Sequence, residues 1–243
     1  GFLSFRHGME SLVQALKAPL AKVVLGQGAR HLARRDGGWR VTLTNGGTLE
    51  ATNVILACPP WIAARLLEDE HPTLAAALGD FASGTLTVVN LLMRQEDVAP
   101  PTGSGFVRAG DLADTELRAC TFSSHKFPYR TPDNRFLARC FFAGTAGDIS
   151  DQQLAESALG TLRDLAGFGS GRPLRIRSRR LQNRLVRFDV GHQDRVRRAM
   201  EHSASVGGLF LAGNAYGGVG ILDAMESGAA AARALSMHPE SRT

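Results

Sequence analysis

The chain has 243 residues, of which 44% are hydrophobic, and 28 basic side chains against 23 acidic ones give a formal net charge of +5. That length admits one large domain or two modest ones with a sizeable core, and the balance is that of an ordinary soluble globular protein. No apolar run approaches the roughly 18 residues of a membrane span, and Gly1 to Arg6 lack the charged and apolar regions of a signal peptide.

Cys58, Cys120 and Cys140 are odd in number and have no metal-ligand spacing, and the histidines are dispersed. Reduced, partly buried thiols in the cytoplasm are expected, with no metal site. The basic residues are scattered except for one cluster, Arg172, Arg175, Arg177, Arg179, Arg180, Arg184 and Arg187. It reads as a solvated strand face, or as a surface for an anionic ligand or an acidic membrane. Nucleic acid is not expected, because interleaved stacking aromatics and a recognition-helix pattern are both missing.

In chain order, apolar residues at 9, 12, 13 and 16 predict a helix limited by Pro19. Lys22 to Leu25 reads as a short strand. A turn at 34–38 leads into an alternating strand, Trp39 to Thr44, and Asn45-Gly46-Gly47 folds the chain back over Thr48 to Ala51. Asn53 to Cys58 is a fully apolar strand stopped by Pro59 and Pro60, and it suits a sheet covered on both faces. Helical spacing returns at Trp61 to Leu67 and Thr73 to Leu78. A long strand follows at Thr85 to Met93, then a Pro/Gly-rich connection over 99–105. Further strands are predicted at 105–107, 117–122 and 135–142. Asp151, as the N-cap acid, opens a helix with Leu154, Ala158, Leu162 and Leu165 along one face. Arg175 to Val186 reads as extended chain and Gln193 to Met200 as a short helix.

The closing stretch is the most informative. Leu209 to Ala212 reads as a buried strand, followed by glycines at 213, 217, 218 and 220 and a helix to about Leu235. A bare backbone at a helix start lets peptide N–H groups and a partial positive charge approach a ligand. An ordinary strand-to-helix connection would give the same pattern. The two ends of the chain (1–60 and 205–243) look like parts of one α/β layer. The middle, 61–204, looks like an inserted mixed sheet with helices.

Four segments carry a resemblance. They are Gly8-Met9-Glu10-Ser11-Leu12 with Gly26-Gln27-Gly28-Ala29; Trp39-Arg40-Val41 through Val54-Ile55-Leu56-Ala57-Cys58-Pro59; Cys120-Thr121-Phe122-Ser123-Ser124 with the 151 helix; and Val190-Gly191-His192 with Gly213-Asn214-Ala215-Tyr216 and Gly218-Val219-Gly220-Ile221 followed by Asp223. In this order they resemble the C-terminal part of the protoporphyrinogen/coproporphyrinogen oxidases, within the flavin-containing amine oxidase superfamily.

The resemblance implies an α/β, mixed α+β fold. A partial FAD-binding domain of the glutathione-reductase/amine-oxidase type would be interrupted by a mixed-sheet substrate domain, with the N-terminal Rossmann βαβ unit missing. FAD is the implied cofactor. Ala29 would contact the adenine through its backbone, and Ala57 would lie against the nucleotide. Gly213 and Asn214 would sit by the ribityl and pyrophosphate portion. Val219, Gly220 and Ile221 would offer backbone to the flavin ring. The implied substrate is a tetrapyrrole, protoporphyrinogen IX or coproporphyrinogen III, with the middle segment as one wall of its pocket; the apolar strands there equally suit a plain core.

The sequence departs from the family in three places. It contains no Gly-x-Gly-x-x-Gly phosphate cradle, it lacks the first part of the substrate domain, where the family places an arginine for a substrate propionate, and it has Leu222-Asp223-Ala224 where the family often has Pro-Asp-Cys. It therefore reads as a fragment expected to bind FAD weakly or not at all alone, with a chain carrying the missing half as a partner. Membrane contact would be at most peripheral. Two other readings stand beside it: a different flavin amine oxidase or desaturase, and a non-catalytic remnant or split-protein half.

Overall fold

The computed structural model of the protein describes residues 3–99, 102–110, 112–113, 115–144 and 149–237. In chain order the first elements are α1 (Glu10–Lys17), β1 (Ala29–Arg35), β2 (Gly38–Leu43), β3 (Thr48–Ala51) and β4 (Val54–Leu56). Next come α2 (Pro60–Leu67), α3 (Pro72–Gly79), β5 (Ser83–Arg94), β6 (Gly105–Val107) and β7 (Leu117–Phe122). They are followed by α4 (Ser123–Lys126), β8 (Arg135–Ala143), α5 (Asp151–Ala166) and β9 (Arg175–Val186). The chain closes with α6 (His192–Val206), β10 (Leu209–Leu211), α7 (Asn214–Gly217) and α8 (Ile221–Met237).

These elements form two compact units. One comprises Gly84–Leu185 with the chain up to Val23, and the other Val24–Ser83 with the chain from Val186 onward. The second unit thus includes 61–83 and 186–204 alongside the strands near 54 and 209, and residues up to 23 go with the large sheet.

The first unit is built on a five-stranded sheet in the order β6-β7-β8-β5-β9. Strand alternation sends Val89, Leu91, Met93, Phe136, Ala138, Cys140 and Phe142 to one face, where all are fully buried. Helix α5 covers that face with Leu154, Ala155, Ala158, Leu159, Leu162 and Ala166. Burying each of its leucines contributes about 1.5–3 kcal/mol. The helix starts one residue earlier than the sequence suggests. Ser150, not Asp151, is the N-cap: its hydroxyl accepts from the Gln153 N–H and the Gln153 side chain returns to the Ser150 N–H. Gly167 closes the helix at φ 64°, a conformation that suits glycine. Asp151 lies in the first turn. It accepts from the Ser178 hydroxyl at 2.6 Å and from Arg180 at 3.0 Å, and the serine hydroxyl first, then the guanidinium, hold its carboxyl below the usual range.

The second unit has a three-stranded antiparallel sheet, β1-β2-β3, and a parallel pair, β10-β4. The Asn45-Gly46-Gly47 turn pairs Thr42 with Thr48, as predicted. Strand β1, Arg-rich and weakly patterned, pairs along β2 and was not apparent from the sequence. Val54, Ile55 and Leu56 pair with Leu209, Phe210 and Leu211. Pro59 and Pro60 end β4, and Pro60 starts α2, where a missing N–H carries no penalty. Trp39, Leu32, Leu56, Leu67, Leu78, Phe81, Leu209 and Leu211 share one core.

Two further sequence expectations need correction. Lys22 to Leu25 forms no strand, and Val23, Val24 and Leu25 are exposed. The helix read at 193–200 runs to Val206, because Ser203 is buried and its hydroxyl donates to the Leu209 carbonyl. Of the connection at 99–105, Pro100 and Pro101 lie outside the described residues.

Candidate functional site

The site is built where β4 and β10 end side by side. The Ala212 N–H donates to the Leu56 carbonyl at 3.0 Å, and beyond this bond Ala57 and Gly213 meet. A Cβ at position 213 would lie 3.9 Å from the Ala57 carbonyl oxygen. Gly213 adopts φ 127° and ψ 176°, a conformation that side-chain-bearing residues avoid. Its N–H donates to the Ser227 hydroxyl at 3.0 Å, which ties the strand end to α8. Asn214 is exposed at the start of α7.

Ala215 is fixed from behind. Its carbonyl accepts from His192 Nε2–H at 2.9 Å, and the buried Nδ1 has no partner among the described residues. Phe81 packs edge-on against both His192 and Tyr216, with centroids 5.5 and 5.8 Å away. Burial, and then nearby Cys58, push the Tyr216 phenol well above its ordinary pKa, and burial raises the Cys58 thiol. Both stay protonated at neutral pH, so neither is a ready base or nucleophile.

The start of α8 has a feature the glycine spacing alone did not reveal. Asp223 turns back across the turn and accepts from the Gly220 N–H at 2.8 Å. A Cβ would lie 2.5 Å from its Oδ2 if built on Gly218 and 2.8 Å if built on Gly220. These two glycines therefore make room for an internal cap. The spacing of an acid three residues after a helix-entry glycine was the signal for it. Around this cap the apolar side chains point outward: Val219 is 73% exposed, Ile221 54% and Leu222 65%. The carboxylate disfavours a phosphate at this spot, whereas an apolar ring with an electron-rich edge fits the apolar rim and the first-turn N–H groups. The arrangement fits a flavin ring.

The structure thus brings Ala57, Gly213 and Asn214 to one turn, and Val219, Gly220 and Ile221 to the helix entry that follows it. Ala29 stands apart. It opens β1 opposite Leu43, is exposed, and no hydrogen bond among the described residues joins it to the glycine turn. A cavity of about 790 Å³ lies between α6, β10 and α8, and none of the seven predicted residues lines it. Among the described residues no group of three or more potential metal ligands is found, and no helix is long and apolar enough to cross a membrane.

The family described as flavin containing amine oxidoreductase matches residues 1–236. The chain is 29% identical over 239 residues to a coproporphyrinogen III oxidase of Bacillus subtilis, covering 95% of this chain and 50% of that protein. It is 30% identical to a protoporphyrinogen oxidase of Bos taurus, covering 98% of this chain and 52% of the relative. A solved structure of an Exiguobacterium sp. 255-15 protein, described as a protoporphyrinogen oxidase, superposes with a TM-score of 0.82 at 28% identity, over 97% of this chain and 52% of that one. A UDP-galactopyranose mutase shares the fold at 15% identity with a TM-score of 0.74. The chain spans about half the length of the relatives it matches.

Proposed function

Because this chain belongs to the flavin-containing amine oxidoreductases, we propose that it is a C-terminal part of an FAD-dependent porphyrinogen oxidase acting in haem biosynthesis. The reaction would convert protoporphyrinogen IX or coproporphyrinogen III to the porphyrin with oxygen as acceptor. The observation that carries this reading is the similarity to porphyrinogen oxidases across nearly the whole chain, together with a helix entry whose apolar rim suits a flavin ring.

In this reading Val219, Gly220 and Ile221 lie along the flavin ring, and Gly213 and Asn214 along the ribityl and pyrophosphate portion. Ala57 flanks the nucleotide, and the backbone of Ala29 reaches the adenine. Bound FAD supplies hydride acceptance and passes the electrons to oxygen. The residues of this chain bind and orient: His192 holds the Ala215 carbonyl, Ser227 holds Gly213, and Asp223 holds the helix entry. Val219 and Ile221 exclude water from the ring. No side chain is assigned as a general base. The mixed sheet forms one wall of the tetrapyrrole pocket. A chain carrying the glycine-rich nucleotide-binding half is the expected partner, in the cytoplasm, with at most peripheral membrane contact.

The test is to put this chain in place of the matching half of the Bacillus subtilis relative and assay three substrates: coproporphyrinogen III, protoporphyrinogen IX and an amine such as putrescine. Oxidation of either porphyrinogen is expected. A yellow protein that oxidises only the amine would favour another flavin oxidase, and a folded but inert one would favour the non-catalytic reading.

A further inference from the structure

The five-stranded sheet has a second face, the one α5 does not cover. Alternation places Val88, Asn90 and Leu92 of β5, with Leu137, Arg139 and Phe141 of β8, on this side, and all but exposed Arg139 are half-buried. On β9, Ile176 packs toward the core while Arg175 and Arg177 are exposed. A cleft of about 280 Å³ opens there, lined by Asn90, Leu92, Leu137, Arg130, Arg175 and Arg177, with Thr131 and Pro132 at its edge.

The cleft has an apolar floor, Leu92 and Leu137, and three guanidinium groups with no acid in its lining. The acids Glu96 and Asp133 line a neighbouring cleft, where Glu96 pairs with Arg94. Asp151, on α5, accepts from Arg180 of β9. The guanidinium groups of Arg175 and Arg177 make no hydrogen bond or ion pair with any described residue. Arg130 is steadied by the Ser4 hydroxyl and by the Phe127 ring, 5.3 Å away. Arg139 donates to Asn90 Oδ1 at 3.2 Å, while the Asn90 amide donates to the Arg177 carbonyl at 3.4 Å, so one asparagine links two of the strands that frame the cleft.

A solvated strand face needs neither an apolar floor nor convergence from three parts of the chain. Clustered cations without a counter-charge repel one another and attract an anion. Arg175 and Arg177 stand two residues apart on one face, roughly 7 Å along the strand, which suits separate carboxylates better than one.

We propose that this cleft is a carboxylate-binding site for an apolar polycarboxylate, and that Arg175 and Arg177, aided by Arg130 and Arg139, grip the propionate side chains of the tetrapyrrole. The inference rests on the porphyrinogen reading above and adds the residues that read the substrate's charges. It orders the ligands: coproporphyrin III, with the most carboxylates, binds tighter than protoporphyrin IX, and the tetramethyl ester of coproporphyrin binds weakest.

The test is fluorescence titration of these three stable porphyrins into the 243-residue chain, its Arg175→Ala/Arg177→Ala variant, and an Arg163→Ala control. Arg163 is exposed on α5, on the opposite side of the sheet. The double variant is expected to weaken coproporphyrin III on the order of tenfold, as for loss of charge-assisted hydrogen bonds. Added salt narrows the gap, the ester is unaffected, and the control binds like the parent. If the parent binds coproporphyrin III and the double variant binds it equally well, this inference falls and the functional reading stands. If the folded parent binds none of the porphyrins, this inference falls, and the functional reading is decided separately by the porphyrinogen assay of the assembled enzyme. If the variant loses only binding to phosphatidylserine vesicles, the cleft is a headgroup surface and the proposal is overturned.

Discussion

Two regions of this protein hold comparable stretches of apolar residues and use them differently. In the five-stranded sheet, Val89, Leu91, Met93, Phe136, Cys140 and Phe142 are sealed beneath α5. Along α8 only Ala231 is buried, while Ile221, Leu222 and Met225, with Val219 just before the helix, face outward. Hydrophobicity in the first region holds the unit together. In the second it forms an exposed apolar surface beside a helix N-terminus, which suits the ring-binding edge proposed above.

Substitutions can break this comparison. Phe136→Ala in the sealed core is expected to cost about 3–5 kcal/mol in urea unfolding. Leu222→Ala at the α8 entry should stay within about 0.5 kcal/mol. Similar costs at both positions would mean that the α8 face is part of the core after all. The turn itself is more sensitive than its surroundings. Gly213→Val forces a branched side chain to φ 127° and should cost about 1–3 kcal/mol, read by the same unfolding experiment.

Smaller effects sharpen the account of the first region. Ser150→Ala removes half of the capping box of α5 and should cost about 1 kcal/mol in thermal unfolding. Asp151→Asn should cost less than about 1 kcal/mol, because the carboxylate is largely exposed. Its pH dependence has a definite sign. The folded pKa lies below the unfolded one, so the stabilisation is fully present above the usual carboxylate range. It is lost as pH falls through the folded value. Parent and variant should therefore differ at neutral pH and converge in acid, and a gap that widened on acidification would contradict the Ser178 and Arg180 contacts.

Much of this was legible in the residues. Asn45-Gly46-Gly47 announced its hairpin because the turn chemistry is local, and the α5 periodicity announced a helix with one buried face. The cap was misplaced by one residue, since Ser150 and Asp151 are both good N-caps and only Gln153, counted from Ser150, completes the box. Strand β1 was hidden because Arg30, Arg34 and Arg35 mask the two residues it buries, Leu32 and Ala33. Val23 to Leu25 had the composition of a strand, but no strand among the described residues pairs with it.

At the site, the glycines could be read from the sequence but their causes could not. Gly213 answers to a backbone angle, and Gly218 and Gly220 to the carboxylate of Asp223. His192 reaches Ala215 only through the folded chain. The open sheet face was half legible: the arginine cluster stood out, whereas the apolar floor beneath Arg175 and Arg177 comes from β5 and β8, far away in sequence.

The most direct measurement is the visible absorbance of this chain joined to the unmatched half of the Bacillus subtilis relative, compared with the same assembly carrying Ile221→Asp. The account predicts a flavin spectrum in the parent and a shifted or lost one in the variant, because an added carboxylate at the α8 entry would face the ring. A folded but colourless parent, or a spectrum indifferent to Ile221→Asp, would contradict the placement of the flavin at this helix entry.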